Sequence, residues 1–183
     1  MRNSFLSEEE IQGMGFKKTG SNLYISRNAQ FYSPESIELG SNVRIDDFCI
    51  LTGNIKIGNN IHISAYTALF GRKGIELMDY SGLSPRCTLF SETDDFSGNY
   101  LVGTMARLES RNVIGEKIII GKFSQIGSSC VILPGVTVHE GVAVGAMSLI
   151  NYDLESWSIY KGVPAKFHKR RSQKLLDFLS DDD

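Results

Sequence analysis

Aliphatic residues recur at every sixth position through most of the chain. From Leu39 the series runs Ile45, Leu51, Ile57, Ile63 and Leu69; after a two-residue slip it continues as Leu77, Leu83 and Leu89; after a longer break it resumes as Ile120, Ile126, Ile132, Val138, Val144 and Ile150. Six is neither the period of an amphipathic helix (about 3.6) nor the turn spacing of an ordinary β-meander (roughly 8–12 residues). The residue after the aliphatic one is often small or acidic: Gly40, Asp46, Gly58, Ser64, Ser84, Gly121, Gly127, Gly145. The fifth position of each hexad is small or β-branched: Val43, Thr67, Ser81, Ser124, Val136, Val142, Ser148. Such a chain alternates short strands with tight corners, three faces to a coil. Residues three hexads apart should then stack: Leu39 on Ile57, Ile45 on Ile63, Ile120 on Val138, Ile126 on Val144, Ile132 on Ile150. Glycine is expected at corners whose backbone cannot easily carry a Cβ.

The breaks predict the remaining elements. Phe70–Glu76 adds two residues, enough for a small bulging loop, and the polar stretch between Leu89 and Ile120 is a long insertion of the kind that is usually functional or an interface. Ser7-Glu8-Glu9-Glu10 has a capping-box form with Gly15 as a stop, and Leu175, Leu176 and Leu179 sit at helical spacing, so a short helix is expected at each end. The expectation is one mainly β domain, a parallel β-helix over 21–155 with its loop at 91–117, an N-terminal cap over 1–20 and a tail with a helix over 156–183.

Composition narrows the functional classes. The chain of 183 residues holds 18 glycines against 4 prolines, which the corners account for. Its 19 Lys+Arg and 21 Asp+Glu leave a net charge of −2, without the basic excess of a protein that wraps a phosphate backbone, so nucleic-acid binding is disfavoured. The longest apolar runs, such as Ile118–Ile120 and Val131–Leu133, fall far short of the ~20 residues of a membrane span. The polar, acidic N-terminus does not read as a signal peptide, and a soluble cytoplasmic protein is expected. Cys49, Cys87 and Cys130 all hold the fifth hexad position, which makes them corner fillers rather than a catalytic thiol, a disulfide framework or a metal site.

The hexads IGKFSQ, IGSSCV, ILPGVT, VHEGVA and VGAMSL, followed by Gly-Val-Pro-Ala-Lys at 162–166, resemble the hexapeptide-repeat acyltransferases, which fold as left-handed parallel β-helices. The likeness covers roughly residues 20–170. The segments NVRIDDFCIL, IHISAYTALFG and SETDDFSGNY are similar to the narrower group that acylates dTDP-linked 4-amino-4,6-dideoxyglucose. The resemblance implies an N-acetyltransferase that uses acetyl-CoA as co-substrate and a nucleotide-linked amino sugar as acceptor, in surface-polysaccharide (lipopolysaccharide O-antigen) biosynthesis. It further implies a homotrimer with active sites between subunits. By the same resemblance the Gly127-Ser128 and Gly145-Ala146 steps would hold the pantetheine arm, Pro164 would lie near the adenine, and Lys166, Lys169 and Arg170 would meet the coenzyme phosphates, unless that basic run is a solvated helix start. Two other readings stay open: a sugar O-acetyltransferase, and a non-catalytic β-helix scaffold that binds no CoA.

Acyl transfer from a thioester needs a deprotonated nucleophile and a donor for the developing oxyanion. Many sugar O-acetyltransferases of this fold take a base from a histidine in the loop between coils, and here the loop carries Ser91-Glu92-Thr93-Asp94-Asp95 with no histidine. An amine needs less assistance than an alcohol, so the departure favours N-acylation. Of the three histidines, His62 precedes core Ile63 and should point outward, lining the active site or a subunit contact; His139 and His168 read as surface residues. Asp94 and Asp95 could orient the amine or cap the loop. Ser84 could donate to the acyl carbonyl or be a corner serine satisfied by backbone. Arg44, Arg72, Lys73 and Arg86 are candidates for the acceptor's diphosphate, and Tyr66, Tyr80 and Phe96 for stacking on its base or packing between subunits.

Overall fold

The computed structural model describes residues 4–179, and in it the period-six series forms a three-faced parallel β-solenoid. One face stacks Leu39, Ile57, Leu77, Ile120 and Val138 in register. The second carries seven rungs from Leu23–Ile25 to Ser158–Lys161, with Ile45, Ile63, Leu83, Ile126 and Val144 in line. The third stacks Leu51, Leu69, Leu89, Ile132 and Ile150. All five stackings expected from the spacing are present. Every aliphatic residue of the series is at most 5% exposed, so the interior is a column of Leu, Ile and Val ladders. The fifth positions, including Cys49, Cys87 and Cys130, are buried at the inner corners. Burial pushes the Cys49 thiol up to about 11 and that of Cys87 to about 12, so neither supplies a thiolate near neutral pH.

Glycine works differently from the expectation. The left-handed corner conformation is carried mostly by side-chain-bearing residues, among them Asn42, Phe48, Tyr66, Tyr80, Arg86, Phe123 and Met147. The glycines after the aliphatic residue are needed for close approach instead: a Cβ on Gly40 would stand 2.4 Å from the Gly58 carbonyl oxygen, and one on Gly121 2.7 Å from the Glu140 nitrogen. Gly141 answers to both demands, with φ +67° and the Trp157 ring 2.4 Å from where its Cβ would lie.

The two-residue insertion is not a separate loop. It lies inside the continuous strand Ala68–Leu77, as a register shift opposite Gly53 and Ile55. The long insertion leaves the solenoid after Phe90 as an arm in which Glu92–Asp94 pairs antiparallel with Val113–Gly115, and the interior resumes where Ile118 pairs with Ile75. At the N-terminus, Glu8–Gly13 is helical with a complete capping box on Ser7. Arg27 grips Glu10 through two bonds of 2.6 and 2.7 Å and, with the Ser7 amide, holds that carboxyl down at about 2.

Among the described residues no α-helix follows the solenoid, where one was expected. Ser158–Lys161 instead turns at Gly162 and pairs antiparallel with Lys166–Arg170, and Lys174–Phe178 is a 3-10 segment. Leu175, Leu176 and Leu179 are only half-buried, and no side chain caps the segment. A helix this short is marginal without a surface to bury its apolar face.

The outer side of the first face carries a charged ladder in which Glu76 accepts from Lys117 at 2.6 Å and Lys56 at 2.9 Å. These two bonds hold the Glu76 carboxyl below its ordinary value. A lowered folded-state pKa gives stability that is present above the unfolded-state value and lost as pH falls through the folded one. Glu76→Gln is therefore expected to lower stability near neutral pH by about 1 kcal/mol, since the lysines are solvated. In thermal melts the gap between variant and parent should close below about pH 4, the ordinary range of a glutamate.

Candidate active site

The corner that follows the second face builds a continuous column. Ser64, Ser84, Gly127 and Gly145 occupy successive rungs, each donating its amide to the rung beyond, to Leu83, Ile126, Val144 and Tyr160 at 2.8–2.9 Å. Ser84 therefore stands one rung before Gly127-Ser128 and two before Gly145-Ala146, at a rung spacing of about 4.8 Å. The column loses its side chain at Gly127 and Gly145, both half-buried, and Ala146 beside Gly145 is exposed. The Ser84 amide is bonded, but its hydroxyl makes no hydrogen bond among the described residues. Tyr66 and Arg86 occupy the outer edge of the corner, Tyr66 stacked on Phe48 at 5.1 Å with the Arg86 guanidinium 6.0 Å from its ring centre.

Beyond the column, the 162–166 turn is pinned to the last coil. Gly162 donates to Ser148 Oγ at 3.0 Å, Leu149 donates to the Gly162 carbonyl, and Ala165 donates to the Leu149 carbonyl. Pro164 is exposed on this turn, and Val163 closes an apolar groove of about 330 Å³ with Val131, Met147 and Leu149. The basic run is an exposed edge strand rather than a helix start. Arg170 is tied to Glu155 at 3.4 Å and Ser158 at 2.9 Å, whereas Lys166 and Lys169 form no ion pair among the described residues.

His62 points outward from the second face as expected, half exposed, in register between Arg44 and Gly82. Its Nε2 lies 2.7 Å from Asp46, whose other oxygen accepts from Arg44 Nε at 2.7 Å. Burial pushes the Asp46 carboxyl up, but these two partners outweigh it and hold it below its ordinary value. Beside His62, Gly82 leaves a gap over which Gln125 Oε1 lies, its amide nitrogen held by the Tyr80 carbonyl at 3.1 Å.

Asp94 and Asp95 sit on the arm, and their polar contacts are within the arm. Asp94 accepts from Arg111 at 3.0 Å and from the Gly103 amide at 3.1 Å; Asp95 accepts from Asn112 and from Ser97. The Arg111 bond, with the Gly103 amide, lowers the Asp94 pKa, so this carboxylate stays charged and suits a cation better than a free proton. In one chain the structure brings Ser84, Gly127 and Gly145 into one column with His62 on its flank, and it does not join Asp94 to them by any contact. Arg72 leans on Glu92 at 3.5 Å, Phe96 is exposed, and Tyr80 stacks on Phe123 within the neighbouring corner. Residues missed in the sequence are Asp46 as a partner, Gln125, Arg111 and the groove formed by Val131, Met147 and Leu149. Spacing places Asp46 at the rung position of Ser84 and Gln125 at that of His62, but the bonds the two residues make depend on side-chain direction, which spacing does not give.

No family model matches the chain. A curated relative, the dTDP-4-amino-4,6-dideoxy-D-glucose acyltransferase of Escherichia coli, is 38% identical over 180 residues, covering 97% of this chain and 94% of its own. Among solved structures, a variant of AntD, an N-acyltransferase from Bacillus cereus, in complex with dTDP-4-amino-4,6-dideoxyglucose and coenzyme A, superposes with a TM-score of 0.94 at 45% identity, covering 97% of this chain and 95% of that one. The hexapeptide-repeat acetyltransferase VCA0836 of Vibrio cholerae shares the fold at 19% identity and a TM-score of 0.61, over 93% of this chain and 85% of that one. With the solenoid and a nearly full-length relative in hand, the chain belongs to the dTDP-4-amino-4,6-dideoxyglucose acyltransferases, built on the hexapeptide-repeat fold.

Proposed function

We propose that the protein is an acyl-CoA-dependent N-acyltransferase that acylates the amino group of dTDP-4-amino-4,6-dideoxyglucose, with acetyl-CoA as donor, in the cytoplasm and for surface-polysaccharide synthesis. The observation that carries this reading is the end-to-end match to AntD, whose structure holds that sugar nucleotide together with coenzyme A. The acyl-CoA runs along the corner column of a left-handed solenoid, its pantetheine against the bare backbone of Gly127-Ser128 and Gly145-Ala146. Its adenine lies toward Pro164 and the apolar groove, and its phosphates lie near Lys166, Lys169 and Arg170. Ser84 donates to the thioester oxygen as negative charge develops there. The amine attacks the carbonyl carbon, a C–N bond forms and the C–S bond breaks, and the proton lost from nitrogen ends on the coenzyme thiolate.

Asp94, with Asp95 beside it, holds the amine as it enters, while His62 borders the acceptor. Asp94 reaches the Ser84 column from an adjacent subunit of a homotrimer. Support for that assembly comes from the arm itself, where Phe96, Leu101, Met105 and Leu108 are 59–97% exposed and unburied in a single chain. The test is thiol release from acetyl-CoA with dTDP-4-amino-4,6-dideoxyglucose, beside an unaminated dTDP-hexose. Brisk release on the amino sugar alone is expected, and release on the unaminated sugar alone would mark the protein as an O-acyltransferase instead. Isothermal titration with CoA should give a clear binding signal, and a flat trace would leave only a scaffold.

A further inference from the structure

We infer that the buried side chains of Cys87, Cys130 and Ser148 are positioning residues for the coenzyme. They hold the Gly127 and Gly145 carbonyls inward and so turn the Ser128 and Ala146 amides out toward the acyl-CoA; this rests on the N-acyltransferase reading above. Under the column, the fifth hexad position carries an S–H or O–H group on five successive rungs, Cys49, Thr67, Cys87, Cys130 and Ser148, each at most 2% exposed. The first four donate to the column residue of the next rung: Cys49 to the Ser64 carbonyl at 3.2 Å, Thr67 to Ser84 at 3.3 Å, Cys87 to Gly127 at 3.2 Å and Cys130 to Gly145 at 3.2 Å. Ser148 is a second donor to the Gly145 carbonyl, at 2.7 Å, and its oxygen accepts from the Gly162 amide at 3.0 Å. One buried hydroxyl thereby ties that carbonyl to the turn that carries Pro164.

The peptide plane carries the consequence to the surface. In a trans peptide the C=O and the N–H that follows it point opposite ways, so a carbonyl tethered inside the prism leaves the next amide facing out. The Ser128 and Ala146 amides make no hydrogen bond among the described residues, whereas the amides that follow them, of Ser129 and Met147, donate to the Pro85 and Ser128 carbonyls. Two unbonded donors on successive rungs, about 4.8 Å apart, suit the amide carbonyls of a pantetheine arm. One rung earlier the residue after Ser84 is Pro85, which has no N–H, so the Ser84 hydroxyl is the donor left at that level. Packing by itself does not call for a donor at the fifth position, because buried valine fills it at 43, 136 and 142, on the other two corners.

The experiment is calorimetric titration of the full chain with CoA, beside thermal melts, for the parent, Cys87→Val, Cys87→Ser, Ser148→Ala, Ser148→Cys and Cys49→Val. Cys87→Val fills the corner without a donor. Cys87→Ser keeps one, as Ser124 shows at another corner by donating to the His139 carbonyl at 2.7 Å. Cys49→Val is the control, with the same burial and the same bond on the Ser64 rung, which lies beyond Ser84 and away from Gly127 and Gly145. Cys87→Val and Ser148→Ala are expected to weaken CoA binding about three- to tenfold, the size of one lost hydrogen bond, while Cys87→Ser and Ser148→Cys bind more tightly than their donor-free counterparts. Cys49→Val should shift the melting temperature as Cys87→Val does and leave CoA affinity unchanged, a split that a packing role would not produce. Should Ser148→Ala fail to fold, the Cys87 pair carries the test. CoA affinity within twofold of the parent in every folded donor-free variant, or a loss in Cys49→Val equal to that in Cys87→Val, overturns the positioning role. A parent chain that gives no binding signal with CoA overturns the N-acyltransferase reading instead.

Discussion

Replacing Ser84 by alanine is expected to lower turnover by roughly 10²–10³-fold, the usual loss when one oxyanion donor is removed, with melting temperature and CoA affinity unchanged. The expectation comes from where the hydroxyl stands. Its amide is committed to Ile126 within the ladder, so the backbone geometry survives the substitution. The hydroxyl is partly exposed and makes no hydrogen bond among the described residues, so its removal leaves no protein group without a partner. It lies one rung below the glycine where the bare backbone strip begins, at the level where a thioester would end if pantetheine lay along that strip. A corner serine with only a packing role predicts the reverse, a lower melting temperature with turnover intact. Steady-state kinetics on Ser84→Ala, beside a thermal melt, separate the two.

The second large effect is expected at Gly127. A Cβ there would stand 2.6 Å from both the Ala146 nitrogen and the Val144 carbonyl oxygen, and 2.9 Å from the Gly145 carbonyl carbon. All three are backbone atoms of the next coil, where the Val144 carbonyl and the Gly145 amide are held by ladder hydrogen bonds, so no side chain can swing aside. Gly127→Ala must open the coil spacing locally, at about 3 kcal/mol. For a chain of this length that corresponds to a melting temperature lower by roughly 6–12 °C. Because the displaced step is Gly145-Ala146, CoA affinity should fall with it. Gly13→Ala is the control, since its Cβ would meet nothing within 4 Å and its melting temperature should stay within a few degrees of the parent. A Gly127→Ala protein as stable as its parent would mean that this corner is loose rather than close-packed.

Much of the architecture was legible because a solenoid repeats one local decision. Each aliphatic residue at the sixth position faces inward whatever its coil, so Ile45, Ile63, Leu83, Ile126 and Val144 could be aligned by spacing alone. The small fifth positions followed from the same geometry, and the three cysteines with them. The capping box at Ser7 was readable too, because its bonds span only three residues. The tail was misread for the opposite reason. Leu175, Leu176 and Leu179 have helical spacing, but whether a short apolar stripe becomes a helix depends on a surface to receive it, and the chain spends that stretch of edge on the Lys166–Arg170 strand.

The candidate site divides along the same line. The order of residues along the chain was enough for the three-faced prism, the rung on which each residue sits, and the family to which the hexads and the 162–166 turn point. These rest on periodicity, which acts between neighbours along the chain. The tertiary structure alone decided that the left-handed corners are held by Asn, aromatic and Arg residues while glycine serves close approach between coils. It also decided that Asp46 joins Arg44 to His62, that Asp94 is held by Arg111 on an antiparallel arm, and that Ser84 stands one rung before Gly127 with its hydroxyl unbonded among the described residues. Those facts depend on side-chain directions and on distances between rungs, which no spacing of residue types encodes.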